Sequence, residues 1–266
     1  MDFTITKVMG VLNLTPDSFY DGGRYVGEND MLRQAERMLE EGADFIDVGG
    51  CSTRPGAGLV SLEEELRRVM RPIELVLKHF PQARISIDTF RSEVACAAVE
   101  SGALIINDIS GGELDENIFE TAARLKVPYV LSHIQGRPEN MQDAPRYDNI
   151  IVQINRYFSE KIAHLRALGV DDIILDPGFG FGKSIDHNLQ IIKNLPLIGF
   201  GDYPVLVGLS RKSTLQKILG ICADQALNAT SVMHTLTLLQ GVSLLRTHDV
   251  KESFECIKLV KSYNNI

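Results

Sequence analysis

Short apolar runs recur along the chain, and between them the apolar positions switch to helical spacing. Thr6–Leu12, Phe45–Val48, Arg84–Asp88, Leu104–Ile109, Pro128–His133, a run ending at Asp176, Val205–Ser210 and Leu244–Asp249 each read as a short buried strand. Helical spacing predicts helices over Asp30–Glu41, Ser92–Glu100, Glu116–Leu125, Asp148–Leu168, Asp186–Leu195, Ser213–Leu219, Ala226–Leu239 and Lys251–Ser262. A further helix opens at Ser61, where Glu64 three residues on completes a capping-box pattern. Eight strands alternating with helices over roughly 250 residues is the size and order of a (β/α)8 barrel. A doubly wound open sheet also alternates, but its GxGxxG turn after the first strand is absent. No linker or short internal repeat interrupts the pattern, so residues 1–266 read as one α/β domain.

Composition narrows the function. The chain is 44% hydrophobic and 23% charged, with a net charge of −8. That balance suits a globular protein and argues against a general nucleic-acid binder, leaving room for an anionic small molecule where cations cluster. No N-terminal signal and no bilayer-spanning apolar run is present, so no membrane role and a cytoplasmic location are expected. Cys51, Cys96, Cys222 and Cys256 are far apart, which fits neither a zinc site nor a disulfide framework. His79, His164, His187 and His234 lie in helical stretches without ligand spacing and read as packing or surface residues.

Polarity gathers at the strand exits. In order these read Asn13; Asp47; Asp88; Asn107 and Asp108; His133; Asp176; Ser210, Arg211 and Lys212; Arg246 and His248. Each alone fits a cap or turn residue. In a barrel, all eight exits open on the face that carries the active site. Arg211 and Lys212 precede a helix expected to be capped by Ser213, where its dipole disfavours cations, so a ligand role is expected for both. Arg246 and His248 share a face and, with Asn13 beside them, form an anion pocket of phosphate type. The competing reading pairs Arg246 with Asp249 or Asp47 as a structural bridge. Asp88, Asn107 and Asp176 offer two carboxylates and an amide to the barrel centre, which suits the N–H edge of a guanidine-like heterocycle.

The sixth strand runs into Asp176-Pro177-Gly178-Phe179-Gly180-Phe181-Gly182-Lys183-Ser184. Glycines admit a flat ligand close to backbone, and the phenylalanines offer apolar walls. The segment alone fits a tight strand-to-helix turn equally well. Its Gly-Lys-Ser end imitates a phosphate-binding P-loop, but proline stands where the first glycine is needed.

Met9–Phe19, Ser52–Gly56, Ile87–Thr89, Ile106–Ile109, Asp176–Lys183, Ser210–Ser213 and Arg246–Asp249, in this order and over nearly the whole chain, resemble the bacterial dihydropteroate synthases. The resemblance implies a Mg²⁺-dependent barrel enzyme of folate biosynthesis, commonly a homodimer. It joins 6-hydroxymethyl-7,8-dihydropterin diphosphate to 4-aminobenzoate and releases diphosphate. It implies that Asp88, Asn107, Asp176 and Lys212 hold the pterin, and that Asn13, Arg246 and His248 hold the diphosphate, with Asn13 near the metal. Thr53, Arg54, Pro55, Phe181, Ser210 and Lys212 fall to the aminobenzoate site. Catalysis then rests on Asp88, Asp176, Lys212, Arg246 and His248, beneath loops Asn13–Glu28 and Cys51–Ser61 that order over the diphosphate. Arg91, Ile134 and Thr247 depart from the commoner lysine, methionine and valine of the family. Two rivals share the barrel. A pterin-binding methyltransferase domain gives no reason for Ser52-Thr53-Arg54-Pro55 or Ser210-Arg211-Lys212, and a catalytically silent pterin-binding paralogue gives none for the retained catalytic set.

Overall fold

The computed structural model describes residues 2–14, 24–51, 60–136 and 145–265. Eight parallel strands make one sheet: β1 (Lys7–Asn13), β2 (Phe45–Gly49), β3 (Ile85–Asp88), β4 (Ile105–Asp108), β5 (Tyr129–Ser132), β6 (Ile173–Asp176), β7 (Leu206–Val207) and β8 (Leu244–Thr247). Sequential neighbours pair from β1 to β6, and β8 lies between β1 and β7. A parallel bridge between Leu175 and Val205 joins β6 to β7, and the Leu175 N–H donates to the Pro204 carbonyl at 2.9 Å. The sheet thereby closes into the expected (β/α)8 barrel. Around it run α1 (Arg24–Glu40), α2 (Leu62–His79), α3 (Ser92–Glu100), α4 (Ile118–Leu125), α5 (Ile150–Ala167), α6 (Ile185–Lys193), α7 (Ser213–Leu219), α8 (Leu227–Leu239) and α9 (Val250–Asn264).

The two-residue period of a strand sorts side chains to opposite faces and so builds two cores. Residues facing outward, such as Val8, Ile46, Ile87, Leu131, Leu175 and Leu245, pack with the helices into the larger cluster. Met9, Phe45, Ile105, Val130, Ile174, Leu206 and Leu244 face inward and plug the barrel from below, with Phe3 packed against them. Each such side chain contributes about 1.5–3 kcal/mol by leaving water. Two residues further along the same strands the inward positions turn polar: Asp47, Asn107, Ser132, Asp176 and Arg246. An apolar floor therefore carries a polar layer directly above it, at the C-terminal mouth.

Boundaries differ from expectation where local chemistry gave the wrong cue. Helix α1 starts at Arg24 rather than Asp30; its first turn has no acidic residue to announce it, and Asp30 instead pairs with Arg33 inside the helix. At α2 the Ser61 Oγ accepts the Glu64 N–H at 3.2 Å, but the Glu64 carboxylate turns to Arg67 and Arg68 rather than closing the box. Ser213 is the first residue of α7, not its cap; Lys212 holds that position without a side-chain cap bond. Strand β7 has two residues because the chain turns soon after Gly208, with Arg211 at φ 55°.

Candidate active site

The mouth is organised by one arginine. Arg246 Nε donates to Asp47 Oδ2 at 2.6 Å, and its Nη2 donates to Asp88 Oδ2 at 2.5 Å. The Asn107 amide adds a bond to the same Asp47 oxygen at 3.0 Å. Burial works against the Arg246 charge, but the two carboxylates outweigh it and raise its pKa above arginine's usual value. Burial pushes Asp88 up to about 7; Arg246 opposes the rise, and the Asp47 charge adds to it. Asp47 is fully buried, and among the described residues its second oxygen, Oδ1, has no partner, nor has Ser86 Oγ on the neighbouring strand. Buried acceptors left open beneath a mouth suit a ligand that brings N–H groups.

Asp176 closes the opposite side. Its Oδ1 accepts the Gly178 N–H at 2.7 Å. Burial raises its pKa, while that bond and the Lys212 charge hold the rise back. Lys212 is half-buried, with Nζ 4.1 Å from the centroid of the Phe181 ring. Desolvation lowers it to about 8, helped by Arg246 and opposed by Asp176 and Asp88. Asp176 and Arg246 thus sit near enough to bias one another's charge.

His248 is less of a cation than its place in an anion pocket suggested. The Ser210 hydroxyl accepts the His248 backbone N–H at 3.1 Å and lies 3.0 Å from its Nδ1. Burial, helped by the Arg246 charge and opposed by Asp249, lowers the ring to about 4. With Nδ1 accepting from Ser210, the neutral imidazole presents an Nε2–H donor. Asn13 ends β1 in register with Gly49, which is in register with Asp88. Thr53, Arg54 and Pro55 lie outside the described residues, as does much of each of the two loops expected to cover the site.

Three exit residues turn away from the mouth. Arg211, expected to meet a ligand, forms a two-pronged pair with Asp249 at 2.7 and 3.0 Å and ties the β7 exit to the start of α9. The bridge considered for Arg246 therefore goes to Asp47, while Asp249 belongs to Arg211. Asp108 binds its own turn and the neighbouring strand, accepting from Ser110 N at 2.7 Å, Gly112 N at 2.8 Å and Tyr129 Oη of β5 at 2.5 Å. His133 points its ring at the Lys183 ammonium. Of the three departures from the family pattern, Ile134 packs on Phe181 at the mouth. Arg91 pairs instead with Glu65 of α2, and Thr247 accepts from Ser253 and Asp249 behind β8.

The profile of the family described as pterin binding enzyme matches residues 9–248. The dihydropteroate synthase of Escherichia coli K12 is 41% identical over 264 residues, 98% of this chain and 93% of that one. The chain belongs to the dihydropteroate synthase family. Solved structures agree. A Yersinia pestis dihydropteroate synthase in complex with a sulfonamide drug superposes with a TM-score of 0.94 at 39% identity, covering 100% of this chain and 97% of the other. A Xanthomonas albilineans dihydropteroate synthase with 4-aminobenzoic acid gives 0.92 at 38% identity, covering 100% and 96%. In this dihydropteroate synthase family barrel Asp47, one of the two bridge partners open to Arg246 in the sequence, takes it across 199 residues of chain. Lys183 is the residue that strand-by-strand reading misses, because its Gly-Lys-Ser setting resembles the end of a P-loop.

Proposed function

We infer that the barrel catalyses the reaction of its family, joining 6-hydroxymethyl-7,8-dihydropterin diphosphate to 4-aminobenzoate with release of diphosphate. What carries this reading is the convergence at one mouth of Asp88, Asn107 and Asp176 with Lys212 and Arg246, in a chain so closely similar to dihydropteroate synthases throughout its length. Asp88, Asn107, Asp176 and Lys212 bind the pterin edge, with the open Asp47 oxygen below them. Carboxylates there stabilise positive charge on the pterin carbon as its bond to diphosphate lengthens. Arg246, Asn13 and the His248 Nε2–H receive the departing phosphates. A pterin that supplies its own N–H to Asp88 releases one prong of Arg246 for this task. The arylamine, already nucleophilic when neutral, then attacks along the wall formed by Phe181 and Ser210 and loses one N–H proton to solvent or the departing diphosphate; the family resemblance adds Thr53, Arg54 and Pro55, which lie outside the described residues, to this site. Diphosphate release should require both substrates and stop when a sulfonamide occupies the aminobenzoate site. Release at full rate without 4-aminobenzoate would overturn the reading.

Mg²⁺ fits this donor set as a companion of the diphosphate. Among the described residues no group of three or more His, Cys, Asp or Glu could cage a metal, whereas Mg²⁺ characteristically keeps several waters and leans on substrate phosphates. The Asn13 carboxamide would hold it, and when bound it neutralises phosphate charge. Calorimetry should detect tight Mg²⁺ binding only when diphosphate is present; equal affinity without it would rule this arrangement out.

Self-association fits the outer face of the two helices packed beside β8 and β1. Val232, Leu236 and Leu239 follow one stripe of α8 and are 51%, 45% and 48% exposed, and Leu259 and Tyr263 lie on the adjacent α9 at 71% and 69%. Large apolar side chains so gathered favour a partner of the same kind. Light scattering should give twice the 29.5 kDa chain mass, and Leu236→Glu should halve it. A wild-type monomer at micromolar concentration would dispose of the dimer. No helix of the described residues is long and apolar enough to cross a membrane. Cys96, Cys222 and Cys256 are free thiols, which supports a reducing, cytoplasmic location.

A further inference from the structure

The glycine turn after β6 rests on a buried ammonium for which the chemistry above has no use. Lys183 is 3% exposed. Its Nζ donates to the Phe181 carbonyl at 2.9 Å, to the His133 carbonyl at 3.2 Å and to His133 Nδ1 at 3.0 Å. Three donors meet three acceptors, and none of those acceptors is a carboxylate. Burial drives the His133 pKa well below the usual imidazole value, and the Lys183 charge adds to that. The ring stays neutral, and Nδ1 keeps the lone pair that the ammonium needs. Burial likewise lowers Lys183 to about 7, with Asp176 holding the fall back. Keeping an amine in so dry a place costs hydration. A group with three donors pointing in three directions is what these convergent acceptors require.

Two strand exits meet on this nitrogen. His133 follows β5, and Phe181 belongs to the turn after β6. The contact is close: a Cβ on Gly178 would lie 1.9 Å from the His133 carbonyl oxygen, and one on Gly182 2.3 Å from that of Gln135. Both glycines also have positive φ, 70° and 61°. Tyr147 Oη donates to the Gly182 carbonyl at 3.0 Å, and Tyr157 packs edge-on to the His133 ring at 4.9 Å. The turn so fixed carries Phe181, which packs on Ile134 and lies against the Lys212 ammonium.

We propose that Lys183 is a positioning residue for 4-aminobenzoate: from beneath the glycine turn it locks the β5 and β6 exits together and thereby sets the Phe181 wall. This rests on the reading of Phe181 as that wall. Lys183→Met should raise KM for 4-aminobenzoate roughly tenfold or more, while KM for the pterin diphosphate changes far less. Lys183→Gln, whose amide can serve two of the three acceptors, should recover part of the loss. If Lys183→Met does not fold, His133→Phe removes the ring acceptor, keeps the backbone carbonyl and should shift the same KM in the same direction, by less. An unchanged KM for 4-aminobenzoate, or equal rises for both substrates, overturns the proposal. Phe181→Ala separates the two layers of inference. If it leaves the 4-aminobenzoate KM unaltered, the wall itself is misassigned and the proposal falls with it. If Phe181→Ala raises that KM and Lys183→Met does not, the wall stands and the positioning role alone is lost.

Discussion

Asp88→Asn should lower kcat/KM by about 10²–10³-fold while the barrel stays folded. The substitution keeps the shape at the end of β3 and removes only the charge. Arg246 then retains Asp47 as its carboxylate partner, and the pterin carbon loses the counter-charge it needs as diphosphate departs. Because burial pushes Asp88 up to about 7, against an ordinary aspartate value of 3.8, its carboxylate is only part ionised at neutrality. Wild-type kcat/KM should therefore rise with pH through about 7, since this profile reports the free enzyme. In Asp88→Asn the rising limb should vanish along with most of the rate. If the mutant keeps that limb, the group responsible is another one, and Asp176, whose pKa burial also raises, is the next to test.

The barrel was legible because buried strands leave apolar runs that local reading can count, and because their period of two carries Asp47, Asn107, Asp176 and Arg246 inward above Phe45, Ile105, Ile174 and Leu244. What each inward residue does was less legible, since it depends on partners across the barrel. Arg211 and Lys212 are adjacent cations in front of one helix, yet the left-handed backbone at Arg211 sends it out to Asp249 while Lys212 goes in to Phe181. Nothing local distinguishes them. His248 is held neutral by the dry pocket and the Arg246 guanidinium, and neither is apparent in Arg-Thr-His-Asp. Lys183 looked like the remnant of a nucleotide motif because its acceptors on His133 come from a strand 50 residues earlier.

Lys212→Met should cost about 10²–10³-fold in kcat/KM and should remove the opposite limb of the pH profile. Desolvation and the Arg246 charge bring Lys212 down from 10.5 to about 8, so the wild-type profile should fall as pH climbs past 8 and the ammonium is lost. The same shift has a consequence for stability of the opposite sign. Between about 8 and 10.5 the unfolded chain holds a proton that the folded chain has released, so Lys212 makes stability rise with pH across that window. Below 8 the protonated amine is a burden on the fold, and Lys212→Met should be the more stable protein there even as it loses activity. Denaturant melts at pH 7 and pH 10 compare the two: the gain on raising the pH should be smaller in the mutant. A Lys212→Met protein that loses activity, keeps its alkaline limb and shows the wild-type stability change would assign both to another amine. The split between substrates then decides what Lys212 touches. A rise confined to the KM for 4-aminobenzoate would leave it as part of the Phe181 wall; a loss of pterin affinity, with kcat falling as well, places its ammonium on the heterocycle between Asp88 and Asp176.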